Sequence, residues 1–537
     1  MIDLPANGTA WPPAPHDKVL SACAERQVWW EGDPEKLATF YGSQGAQRAD
    51  MVNANRLKRA WRAFWSQPEP GMSNPKRLHV PVAADLGRVA AQSLFAEPIV
   101  VTDPDGNDSL QAIIDDLVNI DDAHSRRLAA AESASMLSGV YGRVVWDRSI
   151  GDNPWIDWVD ADRAIPTFRW GHLVAVTFWS ELDSGDANVV LRWLQHYTPG
   201  RIDHVLYQGT ADNLGRAIPL TEHAATAGIE VTLDGTGIAT GTDRICAGYA
   251  PNLRPNPEWR NEPALAPLGR ADLTRDVIHL LDRIDATWSS WMNDLDLGRG
   301  RVFVSDELLQ ARKGHTPGFD LDRSVYSPIG TGMAATGEAM TYLQAEQFSI
   351  RVAEHQATFE NLLRRVLSRV GYSPITFGLS DETAVTATEV DAKERDTNST
   401  RAARIRLWSP MMVSLNTTLM QVAAHLNGTP APAEDLEVSW PSMRQQSDNQ
   451  RATTVQMWEA AKAASTETKV RHLHPEWDDE RVAEEVELID EANTISVATL
   501  PEEADFAGGQ QPDAPDPQAV DEQGTPQQPP ANADKLG

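Results

Sequence analysis

The sequence predicts an α+β fold that is mainly helical, with two long helices separated by a short irregular module. Apolar residues recur at steps of three and four from Ala271 to Arg299, which places them on one face of a helix. A second helical pattern runs from Glu338 to Val370, whereas residues 155–250 resemble a series of β-strands. These observations predict a helical rod with a tip, joined to a β-containing region.

The N-terminal part predicts helices. Gly32-Asp33-Pro34 forms a turn in which Asp33 is placed to cap the next helix and Pro34 to occupy its first position. The basic and aromatic segment from Arg56 to Trp65 has its apolar residues at helical spacing. That spacing is more typical of a packed face than of a nucleic-acid site.

Residues 155–250 predict the β-rich region of the chain. The strand patterns cover 155–159, 172–179, 189–197, 201–207 and 229–233. Pro199-Gly200 lies between two of these patterns and predicts a hairpin.

The first long helix is followed by a predicted strand at Val302–Val304 and then by a segment rich in glycine and proline. The second long helix is expected to end at Gly371 and Pro374. Thr386 to Leu426 predicts a further long helix that Pro410 breaks or kinks.

The C-terminal part predicts a strand and several helices. Leu436 to Trp440 is expected to return as a strand to an earlier sheet, and residues 445–489 predict two or three helices with Ser465 and Asp478 as N-caps. Residues 501–537 are rich in proline, glutamine and acid and are expected to be disordered.

Composition limits the possible functions of this 537-residue chain. Its 77 acidic and 47 basic residues give a formal charge of −30, which argues against tight general binding of DNA but not against DNA that slides past. No apolar run approaches 18 residues, so no membrane span is expected. Two cysteines and the absence of a secretory signal at the N-terminus fit a reducing cytoplasm.

Catalytic motifs are not found in the sequence. It contains no GxSxG elbow, no phosphate-binding GxxxxGK[ST] loop, no HExxH and no CxxC. His472-x-His474 followed by Glu476 could be drawn as a metal site of an uncharacterised hydrolase. Pro475 and the surrounding pattern instead favour a helix junction, so no catalytic residue, metal or cofactor is predicted.

Several stretches together resemble the portal proteins of tailed double-stranded DNA phages, in particular those of actinobacterial siphophages. The matching stretches are WWEGDPEKLATFY, HVPVAADLGRVAAQSLFAEP, LSGVYGRVVWD, LRWLQHYTPGRIDHVLYQG, NLGRAIPLTEH, DVIHLLDRIDATWSSWMNDLDLGRGRVFV, GYSPITFGL, TATEV, VSWP and STETKVRHLHPEWDD. None is a catalytic signature, and their shared order along the chain carries the resemblance.

The resemblance implies a portal-type fold with wing, stem, clip and crown regions that assembles as a ring, which is dodecameric in that family. The implied regions are an N-terminal region 1–69, a wing 70–270 with a β-rich part 140–250, stem helices 271–299 and 338–371, a clip 300–337, a tunnel-loop region 372–388, a spine helix with a return strand 389–444, a crown 445–499 and a disordered tail 500–537.

The resemblance also implies roles for individual residues. The tunnel-loop candidates that would face the channel are Ser380, Asp381, Glu382 and Thr383, and the clip candidates that would dock partners are Arg301, Arg312, Lys313 and His315. The stem-packing candidates are Leu273, Val277, Leu281, Ile284, Trp288, Trp291 and Leu295. Because a monomer would expose so apolar a helix, neighbouring copies are expected to cover this stripe.

The implied function is a non-enzymatic portal that nucleates procapsid assembly and passes DNA during packaging and ejection. The expected partners are further copies of the chain, the terminase large subunit, a head-tail adaptor, the major capsid and scaffolding proteins, and the double-stranded DNA in the channel. The expected location is the portal vertex of the virion, with the host cytoplasm during assembly. An adaptor or minor capsid protein of ring type is the alternative of the same class.

Overall fold

The computed structural model describes residues 4–49, 77–297, 301–305, 326–329, 343–346, 351–379, 394–441, 448–474, 477 and 479–498. The chain divides into two compact units, Met1–Met443 and Arg444–Gly537. No helix in these ranges is long and apolar enough to cross a bilayer.

The elements are numbered in chain order. The helices are α1 His16–Glu31, α2 Pro34–Ala49, α3 Val82–Phe95, α4 Asp108–Leu117, α5 Asp121–Leu137, α6 Ala224–Ala227, α7 Arg275–Leu297, α8 Val352–Val370, α9 Arg395–Asn427, α10 Asp448–Ala461, α11 Thr466–Leu473 and α12 Asp479–Ala498. The strands are β1 Val100–Thr102, β2 Gly139–Val145, β3 Trp155–Asp160, β4 Ala164–Arg169, β5 His172–Leu182, β6 Val190–Thr198, β7 Arg201–Thr210, β8 Asn213–Ile218, β9 Gly237–Ala239, β10 Ala247–Pro251, β11 Arg301–Ser305, β12 Tyr326–Ile329, β13 Leu343–Glu346 and β14 Glu437–Ser439.

The predicted helix cap near the N-terminus is confirmed. The Asp33 side chain accepts a hydrogen bond of 2.8 Å from the backbone N–H of Glu35, and α2 begins at Pro34. Helices α1, α3 and α5 pack together in the main core of the first unit. The segment from Arg56 to Trp65 lies outside the described residues.

The largest sheet has the strand order β4-β5-β6-β7-β8, with β9 also paired to β7. The predicted hairpin is confirmed, because β6 and β7 pair across Pro199-Gly200 and Gly200 has a φ of 77°. The predicted strand at 229–233 is wrong, since only an isolated bridge from Leu233 to Gly237 forms there. The neighbouring strand on β7 is supplied by residues 237–239, which pair with its first residues.

The long helix α9 packs on a second sheet, β10-β2-β3. Two glycines of this sheet leave a notch in its surface where the helix lies. Gly142 and Gly248 lie directly opposite each other in the β2–β10 pairing. A Cβ atom on Gly142 would lie 2.4 Å from Leu415 Cδ2, and one on Gly248 would lie 2.6 Å from Met411 Cγ. The missing side chains therefore let one turn of α9 approach the sheet closely.

Helix α9 is one continuous element of 33 residues that includes Pro410, so the proline does not break it. It begins at Arg395 rather than Thr386, and residues 386–393 lie outside the described part. The predicted return strand is confirmed, because β14 pairs antiparallel with β1.

The two long helices differ from the predicted bounds. Helix α7 begins at Arg275, four residues after Ala271, because residues 271–274 have a different structural role that is described below. The second predicted helix is wrong at Leu343–Glu346, which forms strand β13. Pairing with β11, the predicted strand after α7, overrides the helical pattern of these residues.

The second unit contains α10, α11 and α12, in agreement with the two or three helices expected there. Ser465 caps α11 as predicted, because its hydroxyl accepts from the backbone N–H of Thr468. Asp478 lies outside the described residues.

The close packing at the glycine notch predicts that a side chain added at Gly142 lowers the stability of the protein. Gly142→Ala should destabilise the protein by about 1–3 kcal/mol, because the new methyl group overpacks the contact with the buried Leu415 side chain. Gly151→Ala is the matched control, because a Cβ there meets nothing within 4 Å. Urea unfolding followed by circular dichroism measures both, and equal stability of the two variants would refute the close packing.

A helical hairpin and its buried base as the candidate functional site

Helices α7 and α8 form an antiparallel hairpin with strands β11, β12 and β13 at its tip. At the tip end, Asp294 Oδ2 lies 2.9 Å from Arg351 Nη2 and 2.9 Å from His355 Nε2. At the base, Asp276 and Arg369 form an ion pair of 2.5 Å. The 23 residues of α7 span roughly 35 Å at the usual helical rise, so the tip is held well away from the base.

The tip is a three-stranded sheet with the order β12-β11-β13. Strand β11 follows α7, and it pairs in parallel with β12 and antiparallel with β13, which precedes α8. The predicted strand at Val302–Val304 is therefore the central strand of the tip. The rod with a tip that the sequence predicts is present within a single chain.

Aromatic contacts join the two helices in the half of the hairpin nearer the tip. Trp288 lies 5.8 Å from Phe359 between ring centroids, and Trp291 stacks on His355 at 6.0 Å with an interplanar angle of 7°. Such ring pairs add specificity to the apolar contact. The hydrogen bond from His355, and then that from Arg351, holds the pKa of Asp294 below its ordinary value. The contribution of this contact to stability is thus present at neutral pH and is lost as the pH falls through the lowered pKa.

The base of the hairpin is fixed by a buried cluster of four side chains. Arg404 of α9 donates to Asp272 Oδ2 at 2.6 Å and to the Tyr372 hydroxyl at 2.5 Å. Asn252 Nδ2 donates to the other carboxylate oxygen, Asp272 Oδ1, at 2.8 Å. Tyr372 follows the C-terminus of α8, so the cluster joins both helices of the hairpin to α9.

Burial and the neighbouring charges shift the pKa values of Arg404 and Tyr372 in this cluster. Burial is the largest single effect and would lower the pKa of Arg404, but the charge of Asp272, the interaction with Tyr372 and the hydrogen bonds to both together outweigh it, and the pKa is raised. Burial raises the pKa of the Tyr372 hydroxyl, which therefore keeps its proton. The cluster is thus a buried ion pair with two neutral hydrogen-bonding partners, Tyr372 and Asn252.

Hydrogen bonds of the backbone beside this cluster explain why α7 starts at Arg275 and not at Ala271. The backbone N–H of Asp272 donates to the Ser135 carbonyl at 2.8 Å, and the Leu273 carbonyl accepts from Arg26 Nε at 3.2 Å. These bonds use backbone groups of residues 271–274 for contacts with other elements. The segment is therefore an anchor rather than a helical turn.

Residues 77–80 form a strap that is hydrogen-bonded to the middle of α7. Asp285 accepts from the Val80 backbone N–H at 2.9 Å, and its other oxygen lies 2.9 Å from His79 Nδ1. The Leu78 backbone N–H donates to Ser289 Oγ at 2.9 Å. Buried polar groups on one side of α7 are thus matched by the strap.

The stem-packing candidates divide into two groups. Leu273, Val277, Leu281 and Ile284 are buried inside the chain itself, and Ile284 is 0% exposed. The expectation that neighbouring copies cover this part of the stripe is wrong, because the core of the first unit already covers it. Trp288 and Trp291 are half-buried against α8, whereas Leu295 is 38% exposed.

The remaining candidates are not placed by the structure. Arg301 lies in β11, but its side chain is outside the description. Arg312, Lys313, His315, Ser380, Asp381, Glu382 and Thr383 lie outside the described residues.

The two histidines considered as metal ligands pack on tryptophans. His472 lies 4.6 Å from Trp458 between ring centroids, and His474 stacks on Trp477 at 3.9 Å. In the described ranges, no group of three or more His, Cys, Asp or Glu side chains could hold a metal ion.

Sequence reasoning missed Asp272, Tyr372 and Arg404. The helical pattern from Ala271 to Arg299 leaves Asp272 outside its apolar face, which favours a position in solvent. One signal could have identified Arg404: it lies four residues before Trp408 and thus on the face of α9 that carries Met411, Met412 and Leu415. A charged residue on an apolar helix face needs a buried partner.

A protein-family model matches most of this chain. The model of the family described as "Phage portal protein, SPP1 Gp6-like" matches residues 53–494. No curated protein matches the sequence.

Solved structures similar to this chain include a chain from the neck of an empty gene transfer agent particle. It is 12% identical, covers 74% of this chain and 91% of its own length, and has a TM-score of 0.39. A chain from the virion of a native gene transfer agent particle is also 12% identical, covers 80% of this chain and 98% of its own length, and has a TM-score of 0.37.

The buried base predicts a large difference between two aspartates that lie four residues apart. Asp272→Asn leaves the Arg404 charge buried and should cost about 3–5 kcal/mol of stability. Asp276→Asn removes only the exposed pair with Arg369 and should cost less than about 1 kcal/mol. Chemical denaturation of both variants measures the difference, and similar losses would contradict the role of the cluster.

Proposed function

Because the chain belongs to the SPP1 Gp6-like family of phage portal proteins, we propose that it forms a closed ring at one vertex of a phage capsid. DNA passes through the ring during packaging and ejection. The observation that carries this proposal is the hairpin with a strand-built tip in a member of a portal family. The family is structural, so the ring supplies a conduit and docking surfaces, and ATP hydrolysis belongs to a partner.

The hairpin supports the assignment of regions. We assign α7 and α8 to the stem, the sheet β11–β13 to the clip, α9 to the spine and helices α10–α12 to the crown. The wing comprises residues 70–270 together with β14, which pairs with β1. Residues 1–69 precede the wing, and 372–388 contain the tunnel loop.

The clip end of the stem is the proposed docking site for the terminase large subunit and later for the head-tail adaptor. Arg301, Arg312, Lys313 and His315 make this end basic in sequence and suit acidic surfaces on those partners. The major capsid and scaffolding proteins are the proposed partners during procapsid assembly in the host cytoplasm. The motif-level resemblance supports a siphophage of actinobacteria as the source.

The channel is proposed to be electronegative. The formal charge of −30 leaves few places where counterion release could hold a passing duplex. Ser380, Asp381, Glu382 and Thr383 are the residues that we propose to face the DNA. A ring of twelve subunits, as the resemblance implies, repeats these carboxylates around the axis.

Contacts between subunits must use residues that the single chain leaves exposed. Leu295 and Val352 are 38% and 44% exposed, and each adjoins a residue of the Asp294–Arg351 pair at the tip end of the hairpin. These positions are the proposed stem contacts between neighbours, instead of the buried part of the predicted stripe.

The proposal predicts that Val352→Asp prevents ring formation without unfolding the subunit. A charge that becomes buried between subunits without a partner costs several kcal/mol, whereas the same charge in solvent costs little. Native mass measurement gives the assembly state, and circular dichroism gives the fold.

Ile284→Asp is the control for this experiment, because the buried charge should unfold the subunit itself. Folded Val352→Asp protein that still forms rings of the wild-type mass would refute the stem contact. A wild-type protein that remains monomeric under assembly conditions would refute the ring.

A further inference from the structure

The hairpin between β4 and β5 ends in a turn that places a tryptophan in solvent. Arg169 and His172 pair across the hairpin, so Trp170 and Gly171 are the two turn residues. Their φ angles are 50° and 84°, and Trp170 is 95% exposed. The indole therefore projects from the tip of a two-stranded arm, whose register shifts between Thr167 and Phe168.

Tryptophan is an unfavourable choice for this backbone. Two-residue turns with positive φ at both positions favour Asn-Gly or Asp-Gly, because a bulky side chain is strained in the left-handed region. The same chain shows the favoured choice at Asp234-Gly235, where the φ angles are 50° and 76°. Trp170 thus adds backbone strain and also exposes a large apolar surface.

Nothing in the described part of the chain offsets this cost. A side chain that is 95% exposed buries almost no area in its own subunit. Strained residues that gain nothing in the fold are characteristic of positions that serve binding. Tryptophan and arginine are also the residues most enriched among those that dominate the energy of protein interfaces.

We propose that Trp170 is a docking residue that inserts into an apolar, carboxylate-rimmed surface on a second copy of this chain. The tip from Arg169 to His172 contains one permanent cation and no acid, whereas each copy carries a formal charge of −30. Charge complementarity therefore favours another copy as the partner. The candidate for this surface is the partly exposed Ile120, which is followed directly by Asp121 and by Asp122, the latter paired with Arg126 on its own helix.

The contact joins two different surfaces of identical subunits, as closed rings require. It rests on the proposed ring and adds an anchor at the wing that is separate from the stem contact.

The test is Trp170→Asn in the full-length protein. Asparagine suits the left-handed turn, so thermal unfolding of the variant subunit should occur at the wild-type temperature or above it. The protein concentration at which half of the subunits are assembled should rise at least roughly tenfold, measured by mass photometry over a dilution series. Trp170→Phe keeps an aromatic ring and should retain most of the assembly.

The outcomes separate the two proposals. A wild-type protein that forms no ring refutes the proposed function itself. Wild-type rings together with equally stable Trp170→Asn rings overturn the docking role and leave the tip to a partner other than this chain. Loss of assembly in Trp170→Asn and Trp170→Phe alike, with both subunits folded, would also overturn insertion of an aromatic ring.

Discussion

The buried ion pair between Asp272 and Arg404 is the interaction on which the arrangement of the first unit depends. Taking two charges out of water is expensive, and additional hydrogen bonds to the pair offset part of that cost. Here Tyr372 and Asn252 supply partners to the pair. The cluster stands where the start of α7, the end of α8 and the face of α9 meet. The direction of the hairpin relative to α9 is therefore set by a few short polar contacts.

This arrangement makes the hairpin self-supporting. Its base is anchored by the cluster, its middle by the strap at His79 and Asp285, and its tip end by Asp294. Leu295 and Val352, near the tip end, are exposed in the single subunit. In the proposed ring, a hairpin that is already folded in the single subunit would lose little conformational entropy on association. In the proposed channel, such a hairpin would keep the bore constant while DNA moves through it.

The sequence alone predicts those elements that are determined by residues close together in the chain. The cap at Asp33, the hairpin at Pro199-Gly200 and the cap at Ser465 each depend on a few adjacent residues. Elements that depend on distant partners were harder to predict. Leu343–Glu346 carries a helical pattern but pairs with a strand about 40 residues earlier. The polar character of Asp272 likewise indicates a surface position until Arg404, 132 residues later, is known to meet it.

In the candidate site, too, the features set by neighbouring residues could be predicted and those set by distant partners could not. The rod and its tip were visible in the apolar spacing, because that spacing is a property of one helix. Whether the stripe is covered by the same subunit or by a neighbour depends on the whole fold, and here the core of the first unit covers its first half.

The most direct test of the account is a reconstruction of the assembled particle by electron cryomicroscopy. The proposed function predicts a closed ring in which the α7–α8 hairpins surround a central opening wide enough for duplex DNA, with acidic residues facing it. A particle whose hairpins point away from any common axis, or that has no opening through its centre, would contradict the account.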